Sequence, residues 1–272
     1  MSITAESFTY VANLVRQRSG IVLESGKEYL VEGRLLPLAR ASAAGNVDAY
    51  VRELRQAPHP ARLELIVDAL TTNETSWFRD AQPFTALTEH ILPELRAGGP
   101  LFPLRVWSAA CSSGQEPYSI AMVLADHLGP GQTQILATDL SAEMIDRAQS
   151  GRYSQLEINR GLPAAMLVRH FARSGADWEV APALRDQITF RRHNLLEPPP
   201  LGGPFDVVFL RNVLIYFDLA TKQDVLRRIQ RVTRPGGYLV LGAAETTLGI
   251  DDSWERVPVG RGAVYRNTRR AA

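Results

Sequence analysis

A turn of small residues and a later carboxylate have the spacing of a nucleoside-binding site. Seven small residues follow Trp107, and these are Ser108, Ala109, Ala110, Cys111, Ser112, Ser113 and Gly114. Such a turn lets the backbone approach a ligand at the carboxyl end of a strand. Asp139 lies 25 positions after Gly114, near the roughly 20 expected for a carboxylate that binds ribose hydroxyls. A tight packing turn, and a helix cap near Ser141, are the alternatives.

Other polar residues follow expected strands. In "HNLLE", Asn194 could bind an adenine amino group while the backbone of Leu195 reads the ring edge; the alternative is a turn asparagine. In "RNVLIYF", Arg211 and Asn212 follow a buried apolar run, where polar side chains face a ligand crevice. Tyr216 could point to the same crevice or into the core.

Glu116 and the segment "LTTNETSWFRD" (70–80) each allow two interpretations. Glu116 is either a first-turn carboxylate favoured by the helix dipole or a ligand for a ribose hydroxyl or an amine. The segment is locally a helix end with caps. The alternative to these caps is contact with a ligand.

Several classes of site are not indicated. The pattern GxGxxG is absent, which weakens a nicotinamide or flavin interpretation, and no GxSxG elbow or P-loop occurs. The five histidines show no metal-ligand spacing and Cys111 has no thiol partner, so we expect no metal.

Composition indicates a globular protein of a reducing compartment. The 272 residues are 45% hydrophobic and 22% charged, with a net charge of +1 that demands neither nucleic acid nor an anionic membrane. A single cysteine excludes an intrachain disulfide. The N-terminus does not resemble a secretory signal, and no apolar run approaches the ~18 residues of a membrane span. We therefore expect a cytoplasmic protein without membrane insertion.

Periodicity predicts two domains. Helical patterns alone occupy the first part, with Gly20 as a predicted stop and Asp48 as a predicted start of a later helix, and we place a helical N-terminal domain at 1–80. Apolar runs alternate with helical patterns after "RAGGP", which predicts an α/β domain at 81–272 with a parallel sheet covered on both faces. The runs include the predicted strands "FDVVFL" (Phe205 to Leu210) and "GYLVLG" (from Gly237), and "RPGG" is predicted to end the helix between them. Residues 151–186 are too long for an ordinary connection and predict a small inserted subdomain. The tail around 254–266 predicts a closing antiparallel hairpin.

Five motifs in order resemble the chemotaxis receptor methyltransferases of the CheR type over nearly the whole chain. They are "NETSWFR", "AACSSGQEPYSIAM", "ATDLS", "NLLE" and "RNVLIYF". The resemblance implies a Rossmann-like class I methyltransferase domain that uses S-adenosylmethionine and releases S-adenosylhomocysteine. It also implies a substrate, the glutamate side chains of chemoreceptor cytoplasmic domains, which would become methyl esters.

The resemblance also implies roles for residues. The positions matching the family's cofactor site are Asn73, Thr75, Arg79, Ala110, Glu116, Asp139, Asn194, Leu195, Arg211 and Asn212. Arg79 and Tyr216 match positions that hold or orient the reacting carboxylate. A glutamate has a reference pKa near ~4.3, so it is already ionised and needs no general base. The chemistry then depends mainly on positioning.

The resemblance also bears on the partner, and the sequence departs from the family's pattern at two places. We expect a monomer whose N-terminal helices face the receptor, although residues 1–70 hold eight basic and eight acidic residues. Any basic face must come from arrangement, for instance of Lys27, Arg34 and Arg40. Trp77 stands where the family has Phe, and "HFARSGADWEV" is shorter than the loop of members that dock on a receptor's C-terminal peptide, so we expect no such tether. The alternatives are a same-fold methyltransferase for another protein acceptor and a non-catalytic cofactor-binding regulator.

Overall fold

Two compact units make up the chain. The structure is a computed structural model that describes residues 3–42, 44–99 and 103–269. The first unit comprises Met1–Thr72 and Tyr216–Thr221, and the second comprises Asn73–Ile215 and Lys222–Ala272. The division therefore falls between residues 72 and 73, whereas the sequence-based boundary is at residue 80.

The first unit contains helices, as its sequence pattern predicts. They are α1 (Ala5–Ser19), α2 (Glu28–Ala41), α3 (Val47–Gln56) and α4 (Pro60–Leu70). The Thr4 hydroxyl caps α1 by accepting from Ser7 N, and Gly20 ends it with φ of 78°. Such a φ favours glycine, which explains the stop predicted there. Asn46, rather than the expected Asp48, caps α3 by accepting from Ala49 N.

A core of apolar side chains holds these helices together. Its fully buried members include Val11, Val15, Val31, Leu35, Val51, Leu54 and Ile66. They recur at helical spacing, so each helix buries one face. The segment Tyr216–Thr221 joins this unit through an isolated bridge between Ile21 and Phe217.

Two of the three residues suggested for a basic face are engaged within the unit. Arg34 donates through Nη1 to the Thr71 carbonyl and through Nη2 to Thr72 Oγ1 at 3.3 Å. It thereby binds carbonyl oxygen at the end of α4. Lys27 Nζ lies 3.9 Å from a Glu24 carboxylate oxygen. Arg34 is thus bonded within its own unit, and a basic face that meets the receptor stays a prediction.

The second unit alternates strands and helices. Its main-sheet strands are β1 (Leu104–Ala109), β2 (Thr133–Asp139), β6 (Ile188–Arg192), β7 (Phe205–Leu210), β8 (Thr233–Leu241), β9 (Trp254–Val259) and β10 (Gly262–Asn267). Its longer helices are α7 (Gln115–Ala125), α8 (Ala142–Ser150) and α12 (Leu219–Val232). Before β1, α5 (Gln82–Ala86) and α6 (Leu92–Ala97) flank a π-helical segment, Leu87–Ile91. Most positions of β1 and β2 are buried, and β7 is buried at every position, as expected of a sheet covered on both faces.

The sheet order sets the position of a ligand crevice. The order is β6-β2-β1-β7-β8-β10-β9, with parallel pairing from β6 to β8. The chain passes from β1 through β2 to β6 on one side and then crosses to β7 and β8 on the other. Strand order therefore reverses between β1 and β7, and ligands of such sheets bind at the carboxyl ends beside that point.

The remaining strands form an edge hairpin and a second sheet. The predicted tail hairpin is confirmed, because β9 and β10 pair antiparallel. Three short strands, β3 (Arg152–Tyr153), β4 (Phe171–Ser174) and β5 (Asp177–Val180), form a separate sheet in the order β3-β5-β4. The connecting helices are α9 (Gln155–Ile158), α10 (Ala164–His170) and α11 (Pro182–Arg185).

One predicted boundary is wrong. The "RPGG" run was expected to lie between a helix and a strand that starts at Gly237 or Tyr238, but β8 already begins at Thr233. The pairing with β7 shifts register between Phe205 and Val207, which accommodates the run. In the described part of the chain, no helix is long and apolar enough to cross a membrane.

Candidate functional site

The small-residue turn after β1 is fixed to the neighbouring strand. Ala110 N and Cys111 N both donate to the Thr138 carbonyl of β2, at 2.8 and 2.9 Å. Ala110 has φ of 73° and Ser112 has φ of 49°, a region that non-glycine residues rarely occupy. Such strain persists only where surrounding contacts hold it, and it is frequent at ligand sites.

Gly114 is required by packing rather than by a ligand. Its φ is 96°, and a Cβ there would lie 2.8 Å from the Tyr153 hydroxyl and 2.9 Å from the Ala148 Cβ. The start of α7 therefore lies directly against α8 and the inserted sheet. The packing-turn alternative is correct for this glycine.

Asp139 links this turn to the end of β2. Its Oδ2 accepts from Ser112 N at 2.7 Å and its Oδ1 from Ser141 N at 3.0 Å. The cap of α8 is the Ser141 hydroxyl, which accepts from Met144 N, so Asp139 is not the N-cap. A carboxylate has about four acceptor positions, so these backbone bonds are compatible with ribose hydroxyls as further donors.

The segment from Asn73 to Asp80, called the strip below, lies along the start of α7. The Asn73 carbonyl accepts from Ser112 Oγ at 2.7 Å, and Phe78 N donates to Ser119 Oγ at 3.1 Å. Trp77 N donates to the Arg160 carbonyl at 3.1 Å. The strip is thus bonded to the small-residue turn, to α7 and to the inserted segment.

Trp77 attaches the strip to the inserted segment. Its side chain is 1% exposed and meets Tyr153 and Phe171 edge-on, at centroid distances of 4.8 and 5.4 Å. Beyond it, Phe78, Asp80 and Ala81 have φ of 47°, 62° and 20°. The strip therefore turns sharply under strain just where it carries Arg79.

Arg211 and Glu116 bind each other at the centre of the site. Arg211 Nη1 lies 3.0 Å from Glu116 Oε2, and Ser108 Oγ donates to Glu116 Oε1 at 2.8 Å. Arg211 Nη2 donates to Asp80 Oδ2 at 2.9 Å and to the Arg79 carbonyl at 2.6 Å. The guanidinium therefore joins the end of β7, the start of α7 and the strip. The structure shows these bonds, while the predicted contacts of Glu116 and Arg211 with the cofactor stay predictions.

The Arg79 side chain is partly exposed and folds back along the strip. Its Nη1 donates to the Glu74 carbonyl at 2.9 Å. The Arg79 guanidinium thus donates to a backbone carbonyl, and the Arg79 carbonyl accepts from Arg211. The Arg79 side chain therefore presents a positive charge that is partly open to solvent.

Asn194 makes the turn that was the alternative interpretation. Its Oδ1 accepts from Leu196 N at 3.0 Å. The carbonyl of Leu195 is within 3.3 Å of Arg228 Nη1. The preceding His193 N donates to the Asp139 carbonyl at 2.8 Å, so this turn lies beside the Asp139 backbone. Burial lowers the pKa of His193, which favours its neutral form.

Asn212 and Tyr216 lie in different units. Asn212 follows β7 with φ of 57°, a value that asparagine tolerates better than most residues. Tyr216 ends a 3-10 turn, Leu214–Tyr216, and belongs to the segment of the first unit; its carbonyl accepts from Val22 N at 2.9 Å. The second unit thus contains every predicted site residue except Tyr216.

A groove runs beside the strip. Asn73 and Thr75 line it together with Ser113, Met144 of α8 and Glu157 of α9, and its volume is about 410 Å³. Its lining does not include Asp139, Asn194 or Asn212. The side of the strip that carries Asn73 and Thr75 therefore borders open space next to the inserted segment.

The buried thiol in the turn is not a nucleophile. Cys111 is 1% exposed, and burial, with the charges of Asp139 and Glu116, raises the pKa of its thiol well above the usual range. Among residues 3–42, 44–99 and 103–269, no group of three or more His, Cys, Asp or Glu could hold a metal.

Sequence reasoning missed two carboxylates. Asp80 follows Arg79 directly and binds Arg211, and Glu245 accepts backbone bonds after β7 and β8. Glu245 follows the apolar run of β8 within four residues. An acidic residue after a strand end was therefore the available signal.

Comparison with known proteins identifies the family. The description "CheR methyltransferase, SAM binding domain" matches residues 73–262, and "CheR methyltransferase, all-alpha domain" matches residues 6–71. The chain is 43% identical to the chemotaxis protein methyltransferase Cher2 of Pseudomonas putida, covering 91% of this chain and 92% of that protein. It is 42% identical to chemotaxis protein methyltransferase 1 of Pseudomonas aeruginosa, covering 98% and 99%. A crystal structure of a TehB-like SAM-dependent methyltransferase from Corynebacterium glutamicum superposes with a TM-score of 0.40 at 16% identity, covering 70% and 96%.

The fold and the matches define a methyltransferase with a Rossmann-like domain. The chain belongs to the CheR methyltransferase family, and its cofactor is S-adenosylmethionine. The residues fit that group, since Asp139 presents a carboxylate at the end of β2 and the strained turn from Ala110 lies beside the switch point. The predicted fold class and cofactor are confirmed.

Proposed function

We propose that this protein transfers a methyl group from S-adenosylmethionine to glutamate side chains in the cytoplasmic domain of a chemoreceptor. The observation that carries the proposal is the match of both CheR domains, at residues 6–71 and 73–262. It is supported by the hydrogen bonds that join the strip to the turn after β1 and to the end of β7. The relatives are named as chemotaxis methyltransferases.

The cofactor supplies an electrophilic methyl group on a sulfonium, and the protein's residues bind and orient. Asp139 is proposed to accept from ribose hydroxyls, and Asn194 with the Leu195 backbone to read the adenine edge. Asn73, Thr75, Ala110 and Asn212 are proposed to line the remaining cofactor surface. Glu116 and Arg211 are proposed to act at the same crevice, where their ion pair also fixes the strip.

The acceptor requires orientation rather than deprotonation. A glutamate carboxylate is ionised at neutral pH, so an oxygen lone pair is available to form the new O–C bond. Bound S-adenosylmethionine would supply the methyl group and would keep the S–C electron pair on sulfur, so that the transfer balances in charge. Arg79 is proposed to hold the acceptor carboxylate loosely, because tight binding of the ground state would slow the reaction. Tyr216 is proposed to orient the same carboxylate.

The proposal also covers the oligomeric state, the location and the docking of the receptor. We propose that the protein acts as a monomer in the cytoplasm, on the receptor domain found there. The turn between β4 and β5 consists of Gly175 and Ala176 alone. This short turn supports the expectation that no receptor tail peptide is needed as a tether.

The test is transfer of labelled methyl groups to receptor-bearing membranes, followed by mild base. Label released as methanol identifies a glutamyl ester. Base-stable label on protein would instead indicate another acceptor chemistry. Cofactor binding without any transfer to receptor would indicate a regulatory module.

A further inference from the structure

The Glu245 carboxylate accepts hydrogen bonds from backbone N–H groups that follow β7 and β8. Its Oε2 accepts from Asn212 N at 2.7 Å and from Gly242 N at 2.8 Å. Its Oε1 accepts from Val213 N at 2.9 Å and from Leu214 N at 2.7 Å. These four bonds use the acceptor positions of one carboxylate.

The four backbone donors that bond to Glu245 lie in or beside tightly turned backbone. Leu214 N begins the 3-10 turn and Val213 N directly precedes it, where helix-type backbone donors have no partner within the turn itself. Asn212 N precedes them in a residue held at φ of 57°. A negatively charged acceptor makes stronger bonds to such donors than a neutral one. The conformation of the Asn212–Leu214 backbone therefore depends on Glu245.

The space around this carboxylate is closely fitted. A Cβ at Gly242 would lie 2.7 Å from Glu245 Oε2 and 2.9 Å from Asn212 Nδ2. Any larger residue at Gly242 must displace the carboxylate or the Asn212 amide. Gly242 therefore provides a second, independent way to disturb the same contact.

We propose that Glu245 is a positioning residue of the cofactor site. It touches neither cofactor nor acceptor; it fixes the loop after β7 so that Asn212 faces the crevice at the switch point. The inference rests on the proposed function in one respect, because it takes Asn212 to contact the cofactor. Its loss is expected to weaken cofactor binding rather than only destabilise the fold.

The test compares Glu245→Gln with a matched control. The amide keeps the size of the side chain but turns an NH2 group toward two N–H donors. Asp206 is a comparable carboxylate, buried to 7% exposure, that accepts from Arg105 N at 2.7 Å and pairs with Arg234 at 3.0 Å. It lies at the amino end of β7, away from the crevice edge. Asp206→Asn is therefore expected to lower Tm without changing cofactor affinity.

The readouts are the calorimetric Kd for S-adenosylhomocysteine, Tm, and steady-state kinetics. Glu245→Gln is expected to raise Kd by about tenfold, the effect of losing a charged hydrogen bond. Gly242→Ala is expected to do the same with Glu245 intact. In both, KM for S-adenosylmethionine rises by a larger factor than kcat falls.

The outcomes separate this inference from the proposed function. If wild type binds the product and both variants bind it equally well, Glu245 has no positioning role. If Asp206→Asn weakens binding as much as Glu245→Gln, the effect is general destabilisation and the inference is wrong. If wild type itself does not bind, the cofactor assignment and proposed function fail instead. Should Glu245→Gln not fold, Gly242→Ala alone decides by its Kd.

Discussion

Arg211 and Glu116 form an ion pair with 3.0 Å between Nη1 and Oε2, and their side chains are 2% and 11% exposed. The pair joins the end of β7 to the first turn of α7 across the switch point. Its second guanidinium nitrogen holds Asp80, whose side chain is 40% exposed. The position of the strip that carries Arg79 thus depends on the buried charge of Arg211, which follows the carboxyl end of β7.

Removing Arg211 is expected to destabilise the fold far more than removing Asp80. Arg211→Ala leaves the Glu116 carboxylate buried without its counter-ion, which costs about 3–5 kcal/mol. Asp80→Asn affects a solvent-screened contact and is expected to cost about 1 kcal/mol or less. Urea unfolding of both variants measures this. Equal losses would show that the buried pair does not hold the site together.

Arg79→Ala is expected to lower methyl transfer far more than stability. The side chain is partly exposed, so the stability change is expected to stay within about 0.5 kcal/mol. Misplacing the acceptor carboxylate is expected to slow transfer by roughly a hundredfold. The control is Arg96→Ala, since Arg96 is also exposed and also donates to a carbonyl, that of His127 at 2.8 Å. Full activity of Arg79→Ala on receptor would exclude the positioning role.

Asp139→Asn is expected to weaken binding of S-adenosylhomocysteine by about tenfold or more. The amide retains an acceptor oxygen for one backbone donor but loses the charge and half of the acceptor capacity. Calorimetry at neutral pH measures the change, with Asp206→Asn as the buried-carboxylate control. Unchanged affinity would exclude a role of Asp139 in cofactor binding.

Trp77→Phe is expected to cost less than half as much stability as Trp77→Ala. The alanine variant loses the edge contacts with Tyr153 and Phe171 and leaves a cavity, a loss of about 3–5 kcal/mol. Phenylalanine keeps a ring there and removes the indole Nε1, which is buried without a hydrogen-bond partner among the described residues. Chemical denaturation compares the two, and similar losses would show that the ring contacts contribute little.

Stability is expected to fall as pH drops below about 6.5, the reference pKa of histidine. Burial, with the nearby Arg169 charge, lowers the pKa of His170 in the folded state, while Asp126 opposes this. The unfolded chain therefore binds the proton first, and stability is lost as pH falls through the unfolded value. His170→Asn is expected to reduce the difference in unfolding free energy between about pH 7.5 and about pH 5.5. These two pH values lie about one unit above and about one unit below the reference pKa. An unchanged difference would contradict the assignment.

The sequence predicts the elements well where burial alone determines them. The β7 limits match the predicted run "FDVVFL" because every position is apolar or buried. The strand ends then place Asp139 and Asn212 at the carboxyl edge. What the pattern could not predict is bonding between distant groups, such as Arg211 to the Arg79 carbonyl, because backbone acceptors have no sequence signature. The positive φ of Phe78, Asp80 and Ala81 likewise arises from long-range contacts at residues that locally disfavour it.

The most direct test of the central claim is mass mapping of a purified receptor cytoplasmic fragment after incubation with this protein and S-adenosylmethionine. The expected result is a methyl increment on glutamate side chains, removed by mild base and strongly reduced with Arg79→Ala. A fragment that remains unmodified, or a base-stable methyl group on another residue type, would contradict glutamate methylation by this site.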